Sequence, residues 1–310
     1  MVNFRYHLVS LIAVFVALAL GVILGAGPLQ ARLGNAFSQD SSTTSSDVTQ
    51  QLGQARTQLD QQSKVFDALA SQVLPGTLKG VAVATVALPG ADAQAVKAIR
   101  DELKTAGADL VGEVSLTDSW DSQKMVQYRE SLSTPVATHL SGATTADDTA
   151  DAIIGRAVVE LLTSSGSEQD LLTQILTAKE SPILSVQEDP KGTARALVVV
   201  GPSQATGTSS GDTAQSGTSD AGVPAAWAGL AGAVATAPAA GVVVGDASGE
   251  TSMIAQIRSM NVAVTTVDSV GTKLGALNAA LSLSTAGTTA RAYGVGVGAQ
   301  KALADVPHAG

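Results

Sequence analysis

The chain has 310 residues, 45% of them hydrophobic but only 3% aromatic, with a formal net charge of −9 and no cysteine. That length and apolar content support a core of about 150 to 200 residues with appendages. The acidic balance, without any Lys/Arg cluster, excludes a general attraction to nucleic acid, and the missing cysteine removes disulfides, thiolate metal sites and cysteine nucleophiles.

The chain opens MVNFRYHLVSLIAVFVALALGVILGAG and carries no charged side chain between Arg5 and Arg32. A helix over 8–27 rises 1.5 Å per residue and so covers about 30 Å, the thickness of a bilayer's hydrocarbon core. The expected layout is a cytoplasmic stub at 1–7, an inner-membrane anchor at 8–27, and an extracytoplasmic remainder, since Arg5 and the α-amino group precede the span. A cleavable secretory signal is the competing reading. Its apolar region usually runs about 7 to 15 residues and ends in a small-x-small site, whereas cleavage after Ala26 or Gly25 would put Leu24 or Ile23 where a small residue is wanted.

Residues 28–47 turn small and polar, with SSTTSS at 41–46, and predict a flexible linker. Over 48–74 apolar or small residues then fall at Val48, Leu52, Ala55, Leu59, Phe66, Leu69 and Val73, alternating four and three once Gln62 is counted. This is a heptad seam, which predicts a coiled coil pairing two chains; an amphipathic helix lying on its own domain has the same pattern. A parallel homodimer is favoured by the span itself, where Ala13, Ala17, Gly21 and Gly25 recur at GxxxG spacing and let helices approach closely. Pro75 and Gly76 end the seam.

From 79 to 284 short continuous apolar runs alternate with amphipathic ones. GVAVATVAL at 80–88 reads as a strand buried on both faces, Val96, Ile99, Leu103 and Ala106 as a helix face closed by Gly107, and 110–114 as a second strand. Strands follow at 197–200, 241–244 and 262–267, with helices carrying Ile153, Ala157 and Leu161, then Leu171 and Ile175, then Ile254 and Ile257. The expected fold class is α/β, a doubly wound and mainly parallel sheet. A Ser/Thr/Gly tract at 202–222 reads as a mobile, disordered surface loop, and 285–310 as an irregular tail.

Chemical motifs are few. Gly294, Val295, Gly296, Val297, Gly298 and Ala299 satisfy GxGxxA, but the dinucleotide fingerprint needs a following helix and an acidic residue about 20 positions on. The turn from Gly245 to Gly249 offers amides to an anion, with Ser248 as plain N-cap the preferred reading. His139 and His308 are the only histidines beyond the span, which leaves no assignable triad, and no cofactor site or enzyme is expected. The acidic pairs Asp147 with Asp148 and Glu188 with Asp189 read as caps and solvated surface.

The segment from Asn3, Phe4, Arg5, Tyr6 and His7 through Leu11 and the span, together with the pair Tyr293 and Gly294, resembles the actinobacterial family of MctB-type copper transporters. The order of anchor, coil and α/β domain agrees with that resemblance. It implies a role in copper transport or homeostasis as an envelope channel, or, in the division-associated SteB-like branch, a membrane scaffold with a SteA-like partner. Copper enters only through this resemblance. Cu(I) needs clustered soft ligands, while Met253 and Met260 lie about 10.5 Å apart along a helix and Met125 and His139 are isolated, so no metal ligand is assigned. The short runs also lack the alternation of a transmembrane barrel. The residues by themselves favour a dimeric scaffold docking an envelope partner, and leave open a small-molecule site at the sheet's carboxyl edge.

Overall fold

The computed structural model describes residues 28–145, 148–203, 224–285 and 289–307. The chain falls into two compact units, Met1–Lys64 and Val65–Gly310. Helix α1 (Pro28–Val73) takes in both the expected linker at 28–47 and the expected coil. The helix thus runs through the expected linker. Ser and Thr disfavour a helix interior by only some tenths of a kcal/mol each, and extending an existing helix avoids the cost of a new nucleus. The anchor at 8–27, and with it Ala17, Gly21 and Gly25, lies outside the described residues, as do Asn3 to His7. No helix among the described residues is long and apolar enough to cross a membrane.

The second unit is built on seven strands: β1 (Ala82–Ala87), β2 (Asp109–Leu116), β3 (Leu184–Glu188), β4 (Ala196–Val200), β5 (Ala240–Val244), β6 (Thr265–Val267) and β7 (Ala292–Tyr293). They lie in the order β3-β2-β1-β4-β5-β6-β7, all parallel except β3, which pairs antiparallel with β2. The strand order reverses between β1 and β4, as a doubly wound sheet requires. Every residue of β4 and β5 is buried because helices cover both faces, which is why these strands read as unbroken apolar runs.

Among the described residues eight α-helices follow α1: α2 (Ala93–Thr105), α3 (Asp118–Asp121), α4 (Val126–Ala137), α5 (Ala150–Thr163), α6 (Ser167–Leu176), α7 (Pro224–Val234), α8 (Met253–Ser259) and α9 (Lys273–Thr285). One core gathers Ile154 and Leu161 of α5, Leu230 of α7 and Ile254 of α8 against Val86 and Val199. The other gathers Ile99 and Leu103 of α2 and Leu277 and Leu281 of α9 against Val83 and Val198. The end of α1 belongs to this second core: Ala70 is 3% exposed and Leu74 fully buried, with Phe66, Leu69 and Val73 packed against it. For that half of the seam, docking on its own domain is what the fold uses.

Several expectations need correction. The tail is not irregular throughout: it supplies β7, buries Tyr293 and Ala304, and is tied down by Asn278, whose amide donates to the Ala302 carbonyl and accepts from the Ala304 amide, both at 2.8 Å. The inward face of α6 is Leu172 and Leu176, while Leu171 is 37% exposed, a register displaced by one residue because a short helix offers too few turns to fix its phase. The antiparallel edge strand β3 and helices α4, α7 and α9 carry no clear period in the sequence; α9 is buried on nearly every side from Gly275 to Leu283. Most of the expected loop at 202–222 lies outside the described residues.

Candidate functional site

The densest polar construction among the described residues sits where β6 and β7 end. Val267 closes β6 and delivers Asp268 to the carboxyl edge of the sheet, where its amide donates to the Tyr293 carbonyl at 2.9 Å. The Asp268 carboxylate accepts from the amides of Val295 (2.8 Å) and Gly296 (3.0 Å), from the Ser269 hydroxyl (2.7 Å) and from Arg258 Nη1 (3.0 Å). Arg258, on α8, also donates to Thr266 Oγ1 at 3.0 Å, to the Val297 carbonyl at 2.7 Å and to the Tyr293 carbonyl at 3.0 Å. The two side chains are 1% and 8% exposed. A buried ion pair is tolerable only when its remaining donors and acceptors are satisfied, and these bonds do so. Burial works against the charge on Asp268, but its hydroxyl, amide and guanidinium donors outweigh burial and hold the carboxyl below its usual range. Burial likewise lowers Arg258, opposed by Asp268.

This arrangement explains Gly294. Its φ is +125°, and a Cβ built there would lie 1.9 Å from Asp268 Oδ1, so any side chain would displace the carboxylate. Tyr293 is 1% exposed. Its hydroxyl reaches the rim, where Arg291 donates to it at 3.2 Å and it donates to Asp305 at 3.4 Å. The resembling Tyr-Gly pair is thus a latch that joins the last strand to the sheet. The GxGxxA pattern at 294–299 receives a physical account here as well: the amides of Val295 and Gly296 are bonded to the chain's own carboxylate and those of Gly294 and Val297 to the Lys301 and Ala247 carbonyls, so none of these four is left to cradle a pyrophosphate.

At the Gly245–Gly249 turn, the Asp246 carboxylate accepts from the Ser248 amide (3.1 Å) and hydroxyl (2.8 Å). Ser248 is not the cap, because α8 begins only at Met253, with Ser252 in the cap position. An Asx turn occupies the residues between strand and helix.

The residues weighed for copper stand in different surroundings. Met253 is 3% exposed within the first core and Met260 is 41% exposed, while His139 Nδ1 lies 3.0 Å from Glu168. Among the described residues no group of three or more His, Cys, Asp or Glu side chains is placed to hold a metal ion. Of the acidic pairs, Glu188 is more than solvated surface: it takes Lys191 at 2.9 Å and Arg100 at 2.6 Å, which together hold its carboxyl low. Asp148 accepts from the Thr145 amide and from Arg156; Asp147 and His308 lie outside the described residues.

Two open grooves accompany the sheet. One, of about 430 Å³, runs beside β7 along Arg258, Thr266, Arg291 and Val297. The other, of about 300 Å³, lies between α2 and β2 and is lined by Val96, Arg100, Glu113, Ser115 and Gln187. The guanidinium groups of both are already paired, Arg258 with Asp268, Arg291 with Asp305, and Arg100 with Glu113 and Glu188. Of the residues assigned to pairing, Leu52 and Leu59 are 53% and 61% exposed, whereas Phe66 and Leu69 face the second core. Sequence reasoning missed Asp268 and Arg258 because their partners lie up to 39 residues away; the one signal was a charged residue placed directly after a strand.

A family model described as "Copper transport outer membrane protein, MctB" matches residues 1–304. The chain is 28% identical over 214 residues to the copper transporter MctB of Mycobacterium bovis (strain ATCC BAA-935 / AF2122/97), covering 64% of this chain and 68% of that protein. The same identity and coverage hold for copper transporter MctB from Mycobacterium tuberculosis strains CDC 1551 / Oshkosh and ATCC 25618 / H37Rv.

Proposed function

The chain belongs to the MctB copper transport family, and from that premise we propose that it serves copper transport or homeostasis as a single-pass envelope protein whose α/β domain does not itself hold the metal. The observation that carries the reading is the family match, which extends from the apolar N-terminus to the latch at Tyr293 and Gly294. Support for the indirect role is chemical. Thioether and imidazole groups suited to Cu(I) are scattered among the described residues, and the most organised polar construction is spent on holding β7. A channel role would require several copies, because one anchor helix per chain cannot enclose a pore. No covalent chemistry is assigned. The test is cellular copper content in a strain lacking the gene, grown with added copper. A rise reversed by complementation is expected, and unchanged copper would overturn the proposal.

A second reading, favoured by the exposed Leu52 and Leu59, is a non-enzymatic parallel homodimer that scaffolds an envelope partner, SteA-like by resemblance, through its coil or α/β domain. Leu59→Pro interrupts the helix and on this reading abolishes both pairing and partner capture. A monomer that keeps its partner would sink it.

A further inference from the structure

We infer that two copies of this chain pair in parallel along residues 48–62 of α1 and no further, because the residues that continue the seam are held by their own domain. The inference rests on the dimer reading above and adds its boundary. Within the repeat, Leu52 and Leu59 are exposed, whereas Phe66, Leu69 and Val73 are packed against the second core. Asp67 pins the same stretch, lying 2.6 Å from Lys273. A seam cannot face a second helix and the domain at once, so pairing past Gln62 would require undocking those residues. Upstream, the repeat falls on Gly34, Ser38, Ser41 and Ser45, which offer no apolar knob. The seam is therefore bounded on both sides.

The occupant is a second copy in parallel orientation. Chains that enter from one membrane plane, each preceded by the apolar stretch at 8–27, run in the same direction. Parallel pairing sets Gln51 beside Arg56 and Gln58 beside Ser63 across the interface, with no like charges. An antiparallel pair centred on the same segment would bring the two Arg56 side chains together. Two heptads fall below the three to four at which a coiled coil is argued from pattern. The contact is thus weak in dilution and depends on the high effective concentration that a shared tether supplies.

The chain has no cysteine, so single cysteines report contacts directly, a disulfide requiring Cα atoms within about 7 Å. In full-length protein in membranes, Leu52→Cys and Leu59→Cys should oxidise to dimers, while Phe66→Cys and Leu69→Cys give at least about tenfold less. Cross-linking at 66 and 69 as strong as at 52 and 59 would overturn the boundary and leave the dimer standing; none at 52 and 59 would overturn the dimer itself. Hydrogen exchange of the unsubstituted chain guards against misfolded variants. Amides at 48–62 should gain protection as the protein is concentrated, those at 66–73 should stay protected throughout, and a concentration-dependent change at 66–73 would overturn the boundary.

Discussion

Replacing Gly294 by alanine tests the latch at its tightest point. The new Cβ would sit 1.9 Å from Asp268 Oδ1 and 2.1 Å from its Cγ, on a residue with φ of +125°. An L residue in that conformation costs about 1–3 kcal/mol. Moving the carboxylate aside leaves buried amide and guanidinium donors unpaired, for about 1–3 kcal/mol more. The sum, roughly 2–6 kcal/mol, corresponds to a fall in Tm of about 5–20 °C in a domain of this size. Thermal unfolding of the purified protein, followed by circular dichroism, measures it. Gly192→Ala is the control, since nothing lies within 4 Å of its Cβ position, and it should stay within about 0.5 kcal/mol of wild type. If Gly294→Ala melts within about 2 °C of that control, the close approach to Asp268 is not what fixes this residue.

Asp268→Asn should destabilise by about 3–5 kcal/mol, because Arg258 is left buried without its counter-charge. The native carboxyl is held below its ordinary value, so its contribution is present above the unfolded value near pH 4 and is lost as pH falls through the folded value. The stability gap between wild type and Asp268→Asn should accordingly be constant above about pH 5 and narrow below about pH 4 in denaturant titrations. Tyr293→Phe removes hydroxyl contacts that lie at the rim and should cost less than about 1 kcal/mol, whereas Tyr293→Ala should cost about 3–5 kcal/mol by emptying the core; equal losses would move the latch's weight from ring to hydroxyl. Phe66→Ala should lower domain stability by about 1–3 kcal/mol, and no change would mean that the end of α1 is not docked.

The parallel core of the fold was legible because β4 and β5 are apolar without interruption, β1 is apolar but for the buried Thr85, and α2 has a clean apolar face ended by Gly107, whose φ is +88°. Legibility ended where burial erased the period, as in α9, or where an element is too short to show one, as in β7 and α6. The seam at 48–74 was visible as a repeat, but a repeat does not reveal its partner, and only the structure divides Leu52 and Leu59 from Phe66 and Leu69. The Tyr293 and Gly294 pair was visible as a resemblance, while its physical reason was not. Asp268 and Arg258 explain it through contacts between segments that are distant in the chain, which spacing does not encode.

The most direct test is cellular copper under copper loading in a strain that lacks the gene and is complemented either with wild type or with a Met125→Leu, Met253→Leu, Met260→Leu, His139→Gln variant of equal abundance. Both are expected to restore the parental copper level if, as proposed, the α/β domain does not itself hold the metal. Restoration by wild type alone would contradict that proposal and make these scattered groups ligands of an assembled site.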